Sequence, residues 1–117
     1  MTRKIWNKLM RDWIPDIPKK KGIASRTHVL ELSEYLPALL TKLVEEAEEL
    51  QAAPTDKRQE ELADVLEVLK AMADECRIPW AEIEATQRKK REERGGFRAR
   101  IVLEYAVHGR INQGRFA

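Results

Sequence analysis

The chain has 117 residues, of which 43% are hydrophobic and 36% are charged, and its net charge is +2. This length suits one modest core rather than two domains, and a charged fraction above the roughly 25% of typical globular chains favours a charged, helical surface. No uncharged stretch approaches the length of a membrane span, which is about 20 residues, and no signal-peptide core is present. The single cysteine, Cys76, excludes an intrachain disulfide framework. We therefore expect a cytoplasmic protein.

The N-terminal segment, residues 1–32, is basic and is interrupted by two prolines and a glycine. We therefore expect one short helix in it at most, between Arg11 and Lys21. Residues 23–30 show no helical period and include β-branched side chains, which predicts an extended segment.

A helical core is predicted over residues 33–96, beginning with a long helix. This helix starts between Ser33, a suitable N-cap, and Pro37, which is tolerated only near a helix start, and it ends before Pro54. Its apolar side chains have the 3–4 spacing of one buried stripe. They are Leu36, Leu39, Leu40, Leu43, Val44, Ala47 and Leu50.

A second helix is predicted from Asp56, which forms a capping-box pattern with Gln59, to about Cys76. Because the connection between the two helices is short, they should form an antiparallel hairpin. The apolar side chains on the buried side of this helix are Leu62, Val65, Leu66, Leu69, Met72, Ala73 and Cys76.

A third helix is predicted from Pro79 to Gly95, where two consecutive glycines form a strong stop signal. In the remaining segment, residues 97–117, Ile101–Leu103 is a short strand candidate that could pair with the extended segment near Val29. Residues after 104 are predicted to be a tail.

An isolated hairpin with two apolar stripes cannot enclose a core by itself. A third helix helps, but a second subunit that completes a four-helix bundle is the more natural solution. We therefore expect a mainly α single domain over residues 1–117, with a helical hairpin, a third helix and at most one small two-stranded β element from the termini. We expect a homodimer or a dimer of dimers.

Charge is partitioned along the chain. Residues 1–32 carry eight basic and three acidic residues, residues 33–84 carry five and fourteen, and residues 85–117 carry nine and three. An acidic centre between basic flanks suits metal ions in the middle and an anionic ligand bound from the sides. The plainer alternative, which charge alone favours, is three solvated faces of uneven composition.

Carboxylates are paired on both long helices, Glu46 with Glu49 and Glu61 with Asp64, each pair three residues apart. On a wheel of about 100° per residue, both pairs are offset from the apolar stripe in the same rotational sense. In an antiparallel hairpin all four therefore line one lateral groove, beside the core but not inside it. Glu45 is predicted to point outward, where it can only support the ligands.

Such a carboxylate cluster is self-repelling, and a hard divalent cation removes the repulsion. Mg²⁺ prefers oxygen ligands and commonly binds a few carboxylates together with substrate phosphates, and Mn²⁺ is the expected substitute. There is no Cys/His cluster that would suit structural zinc. The alternative is a solvated Glu-rich face, which periodicity alone favours.

Together these residues resemble the ExxE…ExxD signature of the MazG superfamily of all-α nucleoside triphosphate pyrophosphohydrolases. The flanking sequences KLVEEAEEL and EELADVL resemble that family's two core helices. Residues 7–15, NKLMRDWIP, resemble the N-terminal segment of a phosphoribosyl-ATP pyrophosphohydrolase-like, house-cleaning branch, although Trp13 stands where a lysine is usual. Residues 90–97, KREERGGF, resemble the ending of that branch, so the resemblance covers about residues 4–104.

The resemblance implies Mg²⁺-dependent hydrolysis of nucleoside triphosphates to monophosphate and pyrophosphate. It implies that Glu46, Glu49, Glu61 and Asp64 are the metal ligands and the catalytic centre. Attack at the α-phosphorus builds negative charge that bound metal neutralises, so positioning and electrostatics would dominate catalysis. We expect a hydrolase that clears non-standard or surplus nucleotides.

Cationic side chains are candidate ligands for the phosphates, which arginine binds bidentately. Lys42, one turn before Glu46, either reaches a phosphate or pairs with Glu46. The other candidates are Arg11, Lys90, Arg91 and Arg94.

Other functions remain open. Phosphoribosyl-ATP could be the substrate, with the same metals. Alternatively, the basic flanks bind nucleic acid and the acidic helices serve only dimerisation, although the acidic centre would repel a polyanion. A purely structural helical adaptor is a further alternative, but it does not explain why two carboxylate pairs lie on one side of the hairpin.

Overall fold

A computed structural model describes residues 6–14, 22 and 24–108 of the chain. The described residues are mainly helical, which confirms the predicted fold class. The helices are α1 (Leu32–Ala52), α2 (Arg58–Glu75) and α3 (Trp80–Arg94), and one 3₁₀ turn, Thr55–Lys57, precedes α2.

The chain divides into two compact units, residues 1–83 and residues 84–117. The first unit contains α1, α2 and the start of α3, and the second contains the rest of α3. None of the helices in the described ranges is long and apolar enough to cross a membrane.

Helix α1 begins slightly earlier than predicted. Its N-cap is Glu31 rather than Ser33, which lies in the first turn. The backbone N–H of Glu31 donates to Oε1 of Glu34 at 3.1 Å, so a glutamate satisfies a donor at the helix start. Pro37 is the sixth residue of α1 and therefore lies in its second turn, where it has no N–H to bond the carbonyl of Ser33.

The connection from α1 to α2 is tight, as predicted, but its capping differs. Asp56 lies within the 3₁₀ turn, and the N-cap of α2 is Lys57, which forms no side-chain capping bond. The predicted capping box of Asp56 and Gln59 is therefore wrong. The reason is that the extra 3₁₀ turn moves the start of α2 to Arg58.

Two observations at opposite ends establish that α1 and α2 are antiparallel. Glu46, in the second half of α1, lies close to Asp64 near the start of α2. Burial raises the pKa of the Tyr35 phenol near the start of α1, and the negative charge of Glu75 at the end of α2 adds to this effect. The start of one helix therefore lies beside the end of the other.

The buried face of this hairpin differs from the predicted stripes. The buried residues are Leu39 and Glu46 on α1 and Val68 and Ala73 on α2. Leu39 and Glu46 are seven residues apart and share one helix face. An acidic side chain therefore lies where only apolar ones were expected.

Several side chains of the predicted stripes are exposed. A single hairpin covers only the flank of each helix that faces the other, so apolar residues outside that flank stay uncovered. The exposed side chains are Leu40, Val44, Ala47, Leu62, Leu66, Leu69 and Cys76.

The predicted β element does not form within the part of the chain that the structure describes. Neither the residues around Val29 nor Ile101–Leu103 have strand structure, and Val29 is 97% exposed. A short two-stranded ribbon is marginal in water without a surface to cover it. Helix α3, in contrast, ends as predicted, because Gly95 takes the left-handed conformation that suits a helix stop, with φ of 80°.

Residues 6–14 of the N-terminal segment lie against the hairpin and contact both of its helices. Lys8 pairs with Glu45 of α1, and Arg11 pairs with Asp64 of α2. A turn follows, in which the backbone N–H of Ile14 donates to the carbonyl of Arg11 at 3.1 Å. Most of the short helix considered between Arg11 and Lys21 lies outside the described residues.

Candidate metal centre

Three carboxylates converge between α1 and α2. Glu46 comes from α1, and Glu61 and Asp64 come from successive turns of α2. One oxygen of each carboxylate lies within 4.8 Å of one oxygen of each of the others. The i, i+3 spacing on α2 presents two carboxylates to one point, and the antiparallel packing brings the third.

Two oxygens of this triad are buried without a hydrogen-bond partner. They are Oε2 of Glu46 and Oε2 of Glu61, and Glu46 as a whole is only 6% exposed. An unpaired buried polar atom costs about 1–3 kcal/mol, and more when it is charged. A cation bound between these oxygens would remove that cost.

The environment of Glu46 disfavours its ionised form. Burial raises the pKa of the Glu46 carboxyl, and the negative charges of Glu49 and Asp64 add to the rise. Lys42 acts in the opposite direction, with its Nζ atom 3.3 Å from Oε1 of Glu46. One lysine therefore compensates part of the charge, and it leaves Oε2 unpaired.

Glu45, the next residue, has the opposite electrostatics. It accepts a hydrogen bond from Lys8, which lowers the pKa of its carboxyl, and Lys42 lies 3.6 Å away and lowers it further. The prediction that Glu45 points outward is wrong, because its side chain is only 26% exposed beneath the N-terminal segment. Glu45 anchors that segment beside the triad.

Arg11 contacts the triad directly. Its Nη2 atom donates to Oδ1 of Asp64 at 2.6 Å. The guanidinium reaches across from the N-terminal segment and remains half exposed. Among the residues predicted to bind phosphate, Arg11 is the one that contacts a carboxylate of α2.

The remaining predicted residues are distributed as follows. Glu49 lies one turn after Glu46 on the exposed surface of α1 and is not part of the triad, although its charge acts on Glu46. Lys42 pairs with Glu46, which is one of the two alternatives considered for it. The three basic candidates on the last turns of α3 are exposed and belong to the second unit: Lys90, Arg91 and Arg94.

The contact between Lys8 and Glu45 was not predicted from the sequence. The two residues are 37 positions apart along the chain, so no helical spacing signals the pair. The one available signal is that Lys8 and Arg11 lie three residues apart in the same basic segment.

The donor set of the triad is composed entirely of carboxylate oxygens. Hard divalent cations such as Mg²⁺ and Mn²⁺ prefer this chemistry, whereas zinc and copper sites favour nitrogen and sulfur ligands. Three carboxylates leave room for waters and for substrate oxygens in an octahedral shell. The residues present therefore fit Mg²⁺.

Comparisons with known proteins assign neither a family nor a function to the chain. No protein-family model matches the chain, and neither a curated protein nor a solved structure matches it.

Proposed function

We propose that this protein is a Mg²⁺-dependent nucleotide pyrophosphohydrolase, which cleaves the α–β phosphate bond of nucleoside triphosphates to give a monophosphate and pyrophosphate. The observation that carries the proposal is the triad of Glu46, Glu61 and Asp64, with its two unpaired buried oxygens. The resemblance of the two helices to the MazG superfamily supports the same reaction. The proposed role is the clearance of non-standard or surplus nucleotides in the cytoplasm.

In this proposal the triad holds the metal, with Glu49 completing the set that the resemblance implies. A Mg²⁺ ion held by these carboxylates would supply positive charge for the phosphate oxygens and would lower the pKa of a bound water. Arg11 and Lys8 form a cationic edge beside the triad and attract the triphosphate. Lys42 offsets part of the rise in the pKa of Glu46 that burial causes. The basic residues Lys90, Arg91 and Arg94 stay candidates for phosphate contacts.

Product analysis on a nucleotide panel tests this proposal. The panel contains standard, deoxy and oxidised nucleotides, dUTP, ITP and phosphoribosyl-ATP, each with Mg²⁺, with Mn²⁺ and with EDTA. We expect monophosphate and pyrophosphate only in the presence of metal. Orthophosphate release would mean β–γ cleavage and would contradict the proposal. If phosphoribosyl-ATP alone is turned over, the proposed substrate class is wrong, whereas the proposed cleavage of the α–β bond stands.

A homodimer forms part of the same proposal. We centre the wheel of α1 on the face of Leu39 and Glu46 and the wheel of α2 on Val68. Five exposed apolar side chains are then offset by about 100–160° in one rotational sense: Leu40 and Val44 of α1 and Leu62, Leu66 and Leu69 of α2. In an antiparallel hairpin these exposed side chains therefore share one side. The N-terminal segment contacts the opposite side, through Glu45. The uncovered side is of the kind that a second hairpin covers in a four-helix bundle.

Val44→Lys is expected to weaken this dimer by about a hundredfold or more, because a lysine would have to be buried at an apolar contact in each copy. Sedimentation equilibrium measures it: the wild type should have at least twice the 13.6 kDa mass of one chain. Glu67→Lys is the matched control, since Glu67 is exposed and lies about 100–160° around α2 from Leu62, Leu66 and Leu69. A monomeric wild type, or equal loss in the control, would contradict the dimer.

A further inference from the structure

The ion pair between Arg11 and Asp64 places a cation at the edge of the carboxylate triad. The Arg11 Nη2 atom lies 2.6 Å from Oδ1 of Asp64, and Asp64 contributes one of the three oxygens that lie within 4.8 Å of one another. The N-terminal segment thus supplies positive charge where a divalent cation would bind.

A guanidinium and a divalent cation cannot share this carboxylate without cost. A divalent cation on the triad would lie within several ångströms of the guanidinium, and their mutual repulsion at that range suffices for a roughly tenfold change in affinity even with the screening of water. The three carboxylates gain more from one divalent ion than from a single exposed arginine, because exposed ion pairs contribute little. The metal should therefore prevail at Asp64.

We propose that Arg11 is a displaceable counter-ion of the metal site: metal binding at the triad releases its guanidinium from Asp64, and the released guanidinium then binds the phosphates of an anionic substrate. This inference rests on the metal site of the proposed function. It adds an order of binding: the metal binds first and frees the guanidinium of Arg11, and the substrate binds second.

The neighbouring cations are arranged differently. Lys42 lies on α1 itself, one turn from Glu46, so its place beside the triad does not depend on the N-terminal segment. Lys8 pairs with Glu45, which lies outside the triad, and the metal does not compete for that carboxylate. Since Lys8 keeps the segment attached, a released Arg11 remains within reach of the site.

The first test is calorimetric titration of the full chain with MnCl₂. Arg11→Gln is expected to bind Mn²⁺ about tenfold more tightly than the wild type. Lys57→Gln removes the same charge from an exposed pair with Glu60 and should change the affinity less than about twofold. Equal or weaker binding by Arg11→Gln, or equal tightening by Lys57→Gln, would overturn the proposal.

The second test follows Arg11 itself by NMR of its guanidinium during titration of the wild type with MgCl₂. The guanidinium signals should move from their ion-paired positions with the midpoint of metal binding. Signals that stay in place at saturating Mg²⁺ would overturn the displacement and leave the metal site intact. If neither the wild type nor Arg11→Gln binds Mn²⁺, the metal site fails, and the proposed function fails with it.

The third test uses inorganic pyrophosphate as the anionic probe on the Mg²⁺-loaded protein. Arg11→Gln should bind pyrophosphate at least about tenfold more weakly, because a charge-assisted bidentate contact is lost. The combination of tighter metal binding and weaker phosphate binding is one that a merely structural arginine would not give. Unchanged pyrophosphate affinity would overturn the substrate half of the proposal.

Discussion

Asp64→Asn is expected to reduce Mg²⁺-dependent nucleotide turnover by about a hundredfold or more, while the helices stay intact. The substitution keeps the size of the side chain but removes the charge that the metal requires. Asp64 is partly exposed and its one described ion pair is with Arg11, so the loss of folding stability should be below about 1 kcal/mol. Pyrophosphate release and far-ultraviolet circular dichroism measure the two effects separately.

Glu60→Gln provides the matched control for this loss of turnover. Glu60 lies on the same helix, next to Glu61, but its side chain is 72% exposed and pairs only loosely with Lys57 among the described contacts. The control should retain the activity of the wild type. Wild-type turnover in Asp64→Asn, or a comparable loss in Glu60→Gln, would contradict the assignment of the triad as the metal site.

Glu46→Gln is expected to raise the free energy of unfolding of the metal-free protein by about 1–2 kcal/mol at neutral pH. The reason is that burial raises the pKa of the Glu46 carboxyl, so the ionised form destabilises the folded state. This destabilisation is complete above the raised pKa. It disappears as the pH falls below the ordinary carboxyl value, and the advantage of the variant should disappear in the same window.

Thermal unfolding at a series of pH values measures this difference. Saturating Mg²⁺ should reverse the order, because bound metal stabilises the wild type by mass action and binds the variant poorly. Glu45→Gln is the neighbouring control with the opposite sign: the bond from Lys8 lowers the pKa of Glu45, so that variant should lose up to about 1 kcal/mol at neutral pH, and the loss should fade at acid pH. A destabilised Glu46→Gln in EDTA would refute the argument.

The helices could be predicted from the sequence because their signals are local. Apolar spacing, Pro54 and Gly95 define three helices whose bounds agree with the structure to within a few residues. The predicted cap at Ser33 is wrong because Glu31 and Glu34 satisfy the first turn instead. Cap choice depends on side-chain geometry that a single sequence does not specify.

The site could be predicted only in part. Helical periodicity predicts both carboxylate pairs on one side of the hairpin, and the structure brings three of those four residues together. The predicted position is beside the core, whereas Glu46 is buried in the contact between the helices. The two differ because the most apolar direction of each helix is not the face that a single hairpin turns toward its partner helix. The contacts of Lys8 and Arg11 link distant segments and leave no periodic signal.

The single thiol of the chain lies at a useful distance from the triad. Cys76 is exposed and follows directly after α2, and at 1.5 Å per residue it lies about 18 Å along the helix axis from Asp64. A nitroxide attached to this native cysteine would therefore sense Mn²⁺ through space without any change to the carboxylates. The distance between the label and bound Mn²⁺ could thus be measured in the wild-type sequence, with the label next to the helix that supplies two of the three proposed ligands.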